Sequence, residues 1–180
     1  MAKRPMMLLL TVIGLFFPAF ARSSEVPPAY LAVADFCGAP AGLLYAVATT
    51  ESGRFFKGQG IRPWPWTLNV EGKGFYFETR EQQFNALMGA ISAGKVVDVG
   101  PMQLNWGWQY DRLISPWRAT DPVYNLTAGC RILREYYDAQ GADASWALAI
   151  GKYHRGSDAP KHVRAATAYA ARVLAVWGRL

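Results

Sequence analysis

The chain has 180 residues, of which 52 % are apolar and 18 % charged, with a formal net charge of +6. That balance excludes a disordered or fibrous polypeptide and is enough for one domain with a real core. The positive excess is spread out rather than interleaved with aromatics as a nucleic-acid groove requires, so it suits an anionic polymer or surface and no nucleic acid is expected as partner.

Lys3 and Arg4 precede an apolar run from Met6 to Phe17, which Pro18 ends. Ala19-Phe20-Ala21 then offers small residues at the two positions that a signal peptidase reads. Residues 1–21 are therefore read as a cleaved secretory signal, the run being short for a membrane span. An uncleaved anchor is the alternative. Residues 22–180 are expected to form one exported, soluble, monomeric domain.

Pro28 to Phe36 reads as a first short helix; Gly38-Ala39-Pro40 breaks it and starts a second that runs to about Glu51. Gly53 to Pro65 reads as loop. Trp66–Val70 and Phe75–Phe77 read as a hairpin around a four-residue turn, Glu71–Gly74. Thr79 followed by Gln82 is a capping box, opening a helix with an apolar stripe at Phe84, Leu87, Met88 and Ile91 that ends at Gly94. Asp121-Pro122 occupies the N-cap and first-turn positions of the next helix, with its stripe at Leu126, Gly129, Ile132, Leu133 and Tyr136. Asp143 is read as the cap of a helix ending near Gly156. A last helix carries Val163, Ala166, Ala170, Val173, Leu174 and Trp177. The expected class is α+β, mainly α-helical, with one small β-hairpin.

Cys37 and Cys130 are the only cysteines. In an exported chain they can close a loop of about ninety residues, worth ~4–5 kcal/mol on the chain-entropy model; two separate buried thiols are the other reading. With only His154 and His162 beside them, no metal site has its ligands and no cofactor is expected.

Glu51-Ser52-Gly53 closes the second helix. Leu44, Val47 and Ala48 fall on the glutamate's side of a 3.6-residue repeat, so its carboxyl continues a core-facing stripe. A carboxyl held against apolar packing keeps its proton toward neutral pH, as a general acid for glycosidic cleavage must. Taken alone, Glu-Ser-Gly reads as a helix end pointing to water. Two later segments bear on the choice: Asp98-Val99-Gly100-Pro101-Met102-Gln103-Leu104-Asn105, and Tyr153-His154-Arg155-Gly156.

Together these segments resemble the lytic transglycosylases of the soluble lytic transglycosylase family, which has a lysozyme-like fold. Ala39 to Ala48 is similar to that family's catalytic helix, and Glu51-Ser52 stands where its catalytic Glu-Ser pair does. Gly100-Pro101-Met102-Gln103 resembles its Gly-x-Met-Gln motif, Asn125-Leu126-Thr127-Ala128-Gly129 the helix between the motifs, and Tyr153-His154-Arg155-Gly156 its Tyr-Asn-x-Gly motif. The resemblance runs from about Tyr30 to Gly156. The Asp98-to-Asn105 form is similar to small members that accompany secretion, pilus and conjugation machines. His154 departs from the family's Asn, and the Trp64–Phe77 hairpin is one that many members lack.

The resemblance implies a periplasmic, wall-facing enzyme that acts on peptidoglycan glycan strands. It would cleave the β-1,4 bond between N-acetylmuramic acid and N-acetylglucosamine and leave a 1,6-anhydromuramyl end. Glu51 is the implied acid and base. Gln103 can donate and accept, which suits an N-acetyl amide or a sugar hydroxyl. Met102 is the implied sugar-facing methionine, although such a side chain also serves as packing. Tyr153 shares a helical face with Trp146 and Ile150, and its family position implies a hydroxyl that reaches Glu51. Ser52 has two readings, a bond to substrate or Glu51 and a helix-end polar residue. Asn105 and Trp106 extend the glutamine motif as positioning residues, with Trp106 the expected exposed ring among Trp64, Trp66, Trp106, Trp108 and Trp117. Asp98, the one second carboxylate in a motif, is read as a turn cap. A muramidase that adds water and a wall-binding assembly factor without activity are the competing readings.

Overall fold

The computed structural model describes residues 25–156 and 159–180, so the expected signal at 1–21 lies outside the described residues. The fold is α+β, mainly α-helical, with small antiparallel sheets. Helices α1 (Pro28–Cys37) and α2 (Ala41–Ser52) are separated by Gly38, whose left-handed φ of 72° ends α1. The stripe expected on α2 is in fact a whole helix of buried residues. Leu43 through Thr49 are all buried, so α2 is the central rod of the core. Glu51 sits in the last turn of that rod.

Gly53–Pro65, expected as loop, contains a hairpin, β1 (Gly53–Phe56) with β2 (Gly60–Pro63). Its pattern is inverted. Phe55 and Ile61 pair across the ladder and face outward at 72 % and 61 % exposure, whereas Arg54 and Arg62 face inward half-buried. A strand whose apolar side faces solvent gives no core-directed period.

The one expected hairpin is β3 (Thr67–Val70) with β4 (Lys73–Tyr76), and its turn is two residues rather than four. Glu71 and Gly72 both take positive φ, 52° and 86°, as the tight hairpin turn that matches strand twist demands. Two short strands, β5 (Val97–Val99) and β6 (Leu104–Asn105), extend β3 into a sheet of order β4-β3-β5-β6. The motif around Gly100 is therefore the tight connection between two antiparallel strands.

Helix α3 (Arg80–Ser92) is capped by Thr79, which accepts from the Gln82 N–H; Gln82 Oε1 answers the Glu78 N–H instead of that of Thr79. Its buried face is Gln83, Leu87 and Ala90, so the expected stripe is rotated and Met88 is exposed. Helices α4 (Trp106–Leu113) and α5 (Pro116–Ala119) lead to α6 (Pro122–Asp138), where Asp121 caps and Leu126, Gly129, Ile132 and Leu133 are buried. Cys37 and Cys130 are bridged, with Cα atoms 6.2 Å apart, which ties α1 to α6. Helix α7 (Trp146–Arg155) begins after Ser145; Asp143 belongs to a short 3-10 turn and does not cap it. Helix α8 (Pro160–Trp177) lies on both α7 and α2 through Tyr169, Ala170 and Val173, while Val163 and Leu174 of the expected stripe are exposed. Among the described residues no single helix is long and apolar enough to cross a membrane.

Candidate active site

Glu51 emerges where α2 ends against α8. Its carboxyl is pushed up to about 7, chiefly by burial, with the charge of Asp98 adding to the shift; the hydrogen bond from Tyr169 and the charge of Arg172 oppose it. The Tyr169 hydroxyl, on α8, donates to Glu51 Oε1 at 2.5 Å. That leaves Oε2 as the natural place for the acid proton. Tyr169 is 2 % exposed, and burial first, then the Glu51 charge, raises its own pKa.

Two charged or ionisable neighbours from different helices frame the Tyr169 ring. His154 stacks on it with centroids 4.3 Å apart and planes within 4°, and the Arg172 guanidinium lies 5.5 Å from its centroid. Burial, Arg155 and Arg172 lower the His154 pKa, so the ring is neutral over a wider range than a free imidazole.

Asp98 lies on β5 rather than in a turn, and its carboxylate accepts from Asn105 Nδ2 at 2.8 Å across the β5–β6 pair. Burial raises its pKa while Asn105 lowers it. Asn105 Oδ1 also caps α4 by accepting from the Trp108 N–H. Asn105 thus positions Asp98 and starts a helix.

Several motif residues form scaffold. The Ser52 hydroxyl is buried and donates to the Ala48 carbonyl, so it reaches neither Glu51 nor open solvent. Met102, expected to face a sugar, is fully buried against Gly129, where an added Cβ would come within 2.7 Å of its side chain. Gly100 is held at φ 76° with Asn125 so close that a Cβ would meet it at 2.6 Å. Buried Asn125 accepts from the Met102 N–H at 3.0 Å and donates to the Val99 carbonyl at 2.9 Å. Gln103, a non-glycine residue at φ 45°, spends Nε2 on Thr67 Oγ1 and the Gly100 carbonyl, both at 2.9 Å. Its Oε1 makes no hydrogen bond among the described residues.

The hydroxyl expected on Glu51 belongs to Tyr169, not Tyr153. Tyr153 donates to the Met102 carbonyl at 2.6 Å, and so locks α7 to the motif loop. It still lies close enough for the Glu51 and Asp98 charges to raise its pKa, after the larger effect of burial. Trp106, expected to be exposed, is half-buried against the core; the exposed ring is Trp108, at 85 %, with Trp117 next at 44 %. Tyr169 and Arg172 are the site residues missed by the sequence reading. A buried tyrosine in a helical stripe needs a partner for its hydroxyl, and that was the available signal.

A cavity of about 780 Å³ opens over Glu51, walled by Thr50 of α2, Ile61 of β2, Tyr76 of β4, and Arg172 and Arg179 on the face and end of α8. A smaller apolar cavity of about 340 Å³ between α7 and α8 has no acidic side chain in its lining. The arrangement over Glu51 can donate a proton near neutral pH and then hold the resulting carboxylate by one tyrosine hydroxyl and one guanidinium. No family model, no curated protein and no solved structure matches this chain.

Proposed function

We propose that the protein is a peptidoglycan lytic transglycosylase, with Glu51 as both acid and base. The observation that carries this reading is a carboxyl buried at the end of a core helix, titrating at about 7, held by Tyr169 and opening into a cavity. In the first half-reaction Glu51 gives its proton to the glycosidic oxygen while the bond from that oxygen to muramyl C1 breaks. The Tyr169 hydroxyl stays on Oε1 and Arg172 lies nearby, so the new carboxylate is stabilised where it forms. In the second, the carboxylate takes the proton of the muramyl C6 hydroxyl, whose oxygen closes on C1. The net change moves one proton from O6 to the leaving oxygen and restores the acid.

The cation at C1 is supported on this reading by the substrate's own N-acetyl group, while the charge of Asp98 acts on Glu51, whose pKa it raises. Asp98 is also what favours a second reading, a muramidase in which that carboxylate serves the attack of water. Mass spectrometry of digested peptidoglycan separates the two, because anhydro ends are lighter by one water than reducing ends. We expect anhydro ends, and expect Glu51→Gln to lose several orders of magnitude in rate; reducing ends alone would overturn the transglycosylase reading. The same proposal has the chain exported, and the Cys37–Cys130 bridge suits an oxidising, periplasmic compartment. There it would work as a monomer on glycan strands, opening the wall locally for a secretion, pilus or conjugation apparatus.

A further inference from the structure

The cavity over Glu51 carries a second arginine, Arg179, that the two proton transfers do not use. Among its lining residues Glu51 is the only acidic side chain, and it is protonated toward neutral pH. Arg172 on α8 and Arg179, just beyond the end of that helix at Trp177, both line the cavity, about 10 Å apart along the chain at the helical rise. Both are exposed, and among the described residues neither pairs with an acidic side chain. The contrast is with Arg54, Arg80, Arg112 and Arg134, each of which meets a carboxylate within 3.2 Å. The lining also holds Ile61 of the outward-facing hairpin and Tyr76, whose hydroxyl donates to the Gly53 carbonyl at 3.1 Å. The lining therefore offers a sugar ring apolar surface to lie on and presents two guanidinium groups that, among the described residues, form no ion pair with an acidic side chain.

We propose that Arg172 and Arg179 form a carboxylate-reading subsite, which binds the anionic substituents of successive muramyl residues while the hairpin wall holds the sugar rings. The inference rests on the glycan-cleaving reading above. Each muramyl residue carries at C3 a lactyl ether that ends in a carboxylate or in a peptide bearing carboxylates. The spacing of the two arginines is comparable to one disaccharide repeat. Guanidinium groups suit this ligand because their paired N–H donors match the two oxygens of a carboxylate. Arg172, beside Tyr169, would take the substituent nearest the bond being cleaved, and Arg179 the next one along the strand. The subsite makes the enzyme selective for muramyl polymers over uncharged polymers of N-acetylglucosamine.

The test compares glycan strands freed of peptide, so that every lactyl group ends in a carboxylate, with the same strands after carbodiimide coupling to ammonia, which leaves neutral amides. The parent protein should favour the anionic strands by about tenfold or more in kcat/KM, the order expected from hydrogen bonds to a charged group. The double variant Arg172→Gln, Arg179→Gln should bring that ratio to within about twofold of unity, and the matching Lys variants should keep only part of it, because an ammonium supplies the charge without the paired donors. Loss of Arg172 also alters Glu51, but that change acts on both strands alike and cancels in the ratio. Binding of each strand to Glu51→Gln protein, followed by tryptophan fluorescence, should show the same preference without turnover. A parent ratio near one, or a preference that survives in the double glutamine variant, would overturn the subsite while glycan cleavage stands. Strands of both kinds left uncut would instead remove the glycan-cleaving reading, and the subsite with it.

Discussion

Glu51→Gln should make the protein more stable above neutral pH and leave it unchanged in acid. In the folded protein the Glu51 carboxyl titrates at about 7, against 4.5 for the same group in water. Between those values the folded chain holds a proton that the unfolded chain has released, so folding stability falls as the pH climbs through that window. Below it both states are protonated and the buried group carries no charge. Above it the native state holds a carboxylate in a site where burial is the largest influence, opposed only in part by Tyr169 and Arg172. A shift from 4.5 to about 7 corresponds to about 3 kcal/mol at 1.36 kcal/mol per unit. Glutamine imitates the protonated acid: its carbonyl oxygen can accept the Tyr169 hydroxyl, and it never ionises. Thermal or denaturant unfolding of the two proteins, with the Cys37–Cys130 bridge intact, should give equal stability near pH 4. The variant should gain about 3 kcal/mol by about pH 8, or roughly 6–12 °C in melting temperature for a chain of this size. A difference that stays flat from acid to alkali would show that Glu51 titrates as an exposed glutamate, and the case for a neutral-pH acid would fall with it.

The remaining expectations separate the two tyrosines, the histidine and the bridge. Tyr169→Phe should cost ~10–100-fold in kcat through the lost bond to the charged form of Glu51. Because that bond lowers the Glu51 pKa, the alkaline limb of the kcat/KM profile should also move upward. Tyr153→Phe should instead lower stability by about 1–3 kcal/mol, since it strands the Met102 carbonyl, while the folded fraction turns over normally; a large kcat loss at unchanged melting temperature would reverse the two assignments. His154→Ala should lower kcat several-fold by freeing the Tyr169 ring, and His154→Phe, which keeps a stacking face, should restore it. Reduction of the bridge, which spans 93 residues, should lower unfolding free energy by about 4–5 kcal/mol in denaturant titrations.

Helix-forming regions were legible because capping and periodicity are local. Pro28–Cys37, the Asp121-Pro122 start and the buried stripe of α6 all follow from residues within a turn or two of one another. The β1–β2 hairpin was not, because Phe55 and Ile61 face outward and leave no core-directed alternation to read. Glu51 was legible from the apolar residues that precede it. Its partner was not: Tyr169 lies 118 positions away, and only the docking of α8 on α2 brings them together. Proximity in sequence to a recognisable motif favoured Tyr153 instead. Trp106 and Trp108 were misordered for a related reason, since Asn105 starts a helix at that point and the direction of each ring depends on where its first turn lies.

Of the motif residues, Glu51 lines the cavity, and those around Gly100 hold shape. Gly100 with Asn125, and Met102 with Gly129, fit so closely that neither glycine admits a Cβ. Tyr153 and Gln103 add hydrogen bonds to the same loop. These contacts fix where β5 ends and β6 begins, and hence where Asp98 stands relative to Glu51. The titration of Glu51 depends on that placement, because Asp98 raises it while Tyr169 and Arg172 pull it down. A substitution that loosens the loop should therefore alter catalysis through the pKa of a residue it never touches. Gly129→Ala is the sharpest case: it forces Met102 to move, and the change should appear as a displaced pH profile in the protein that still folds.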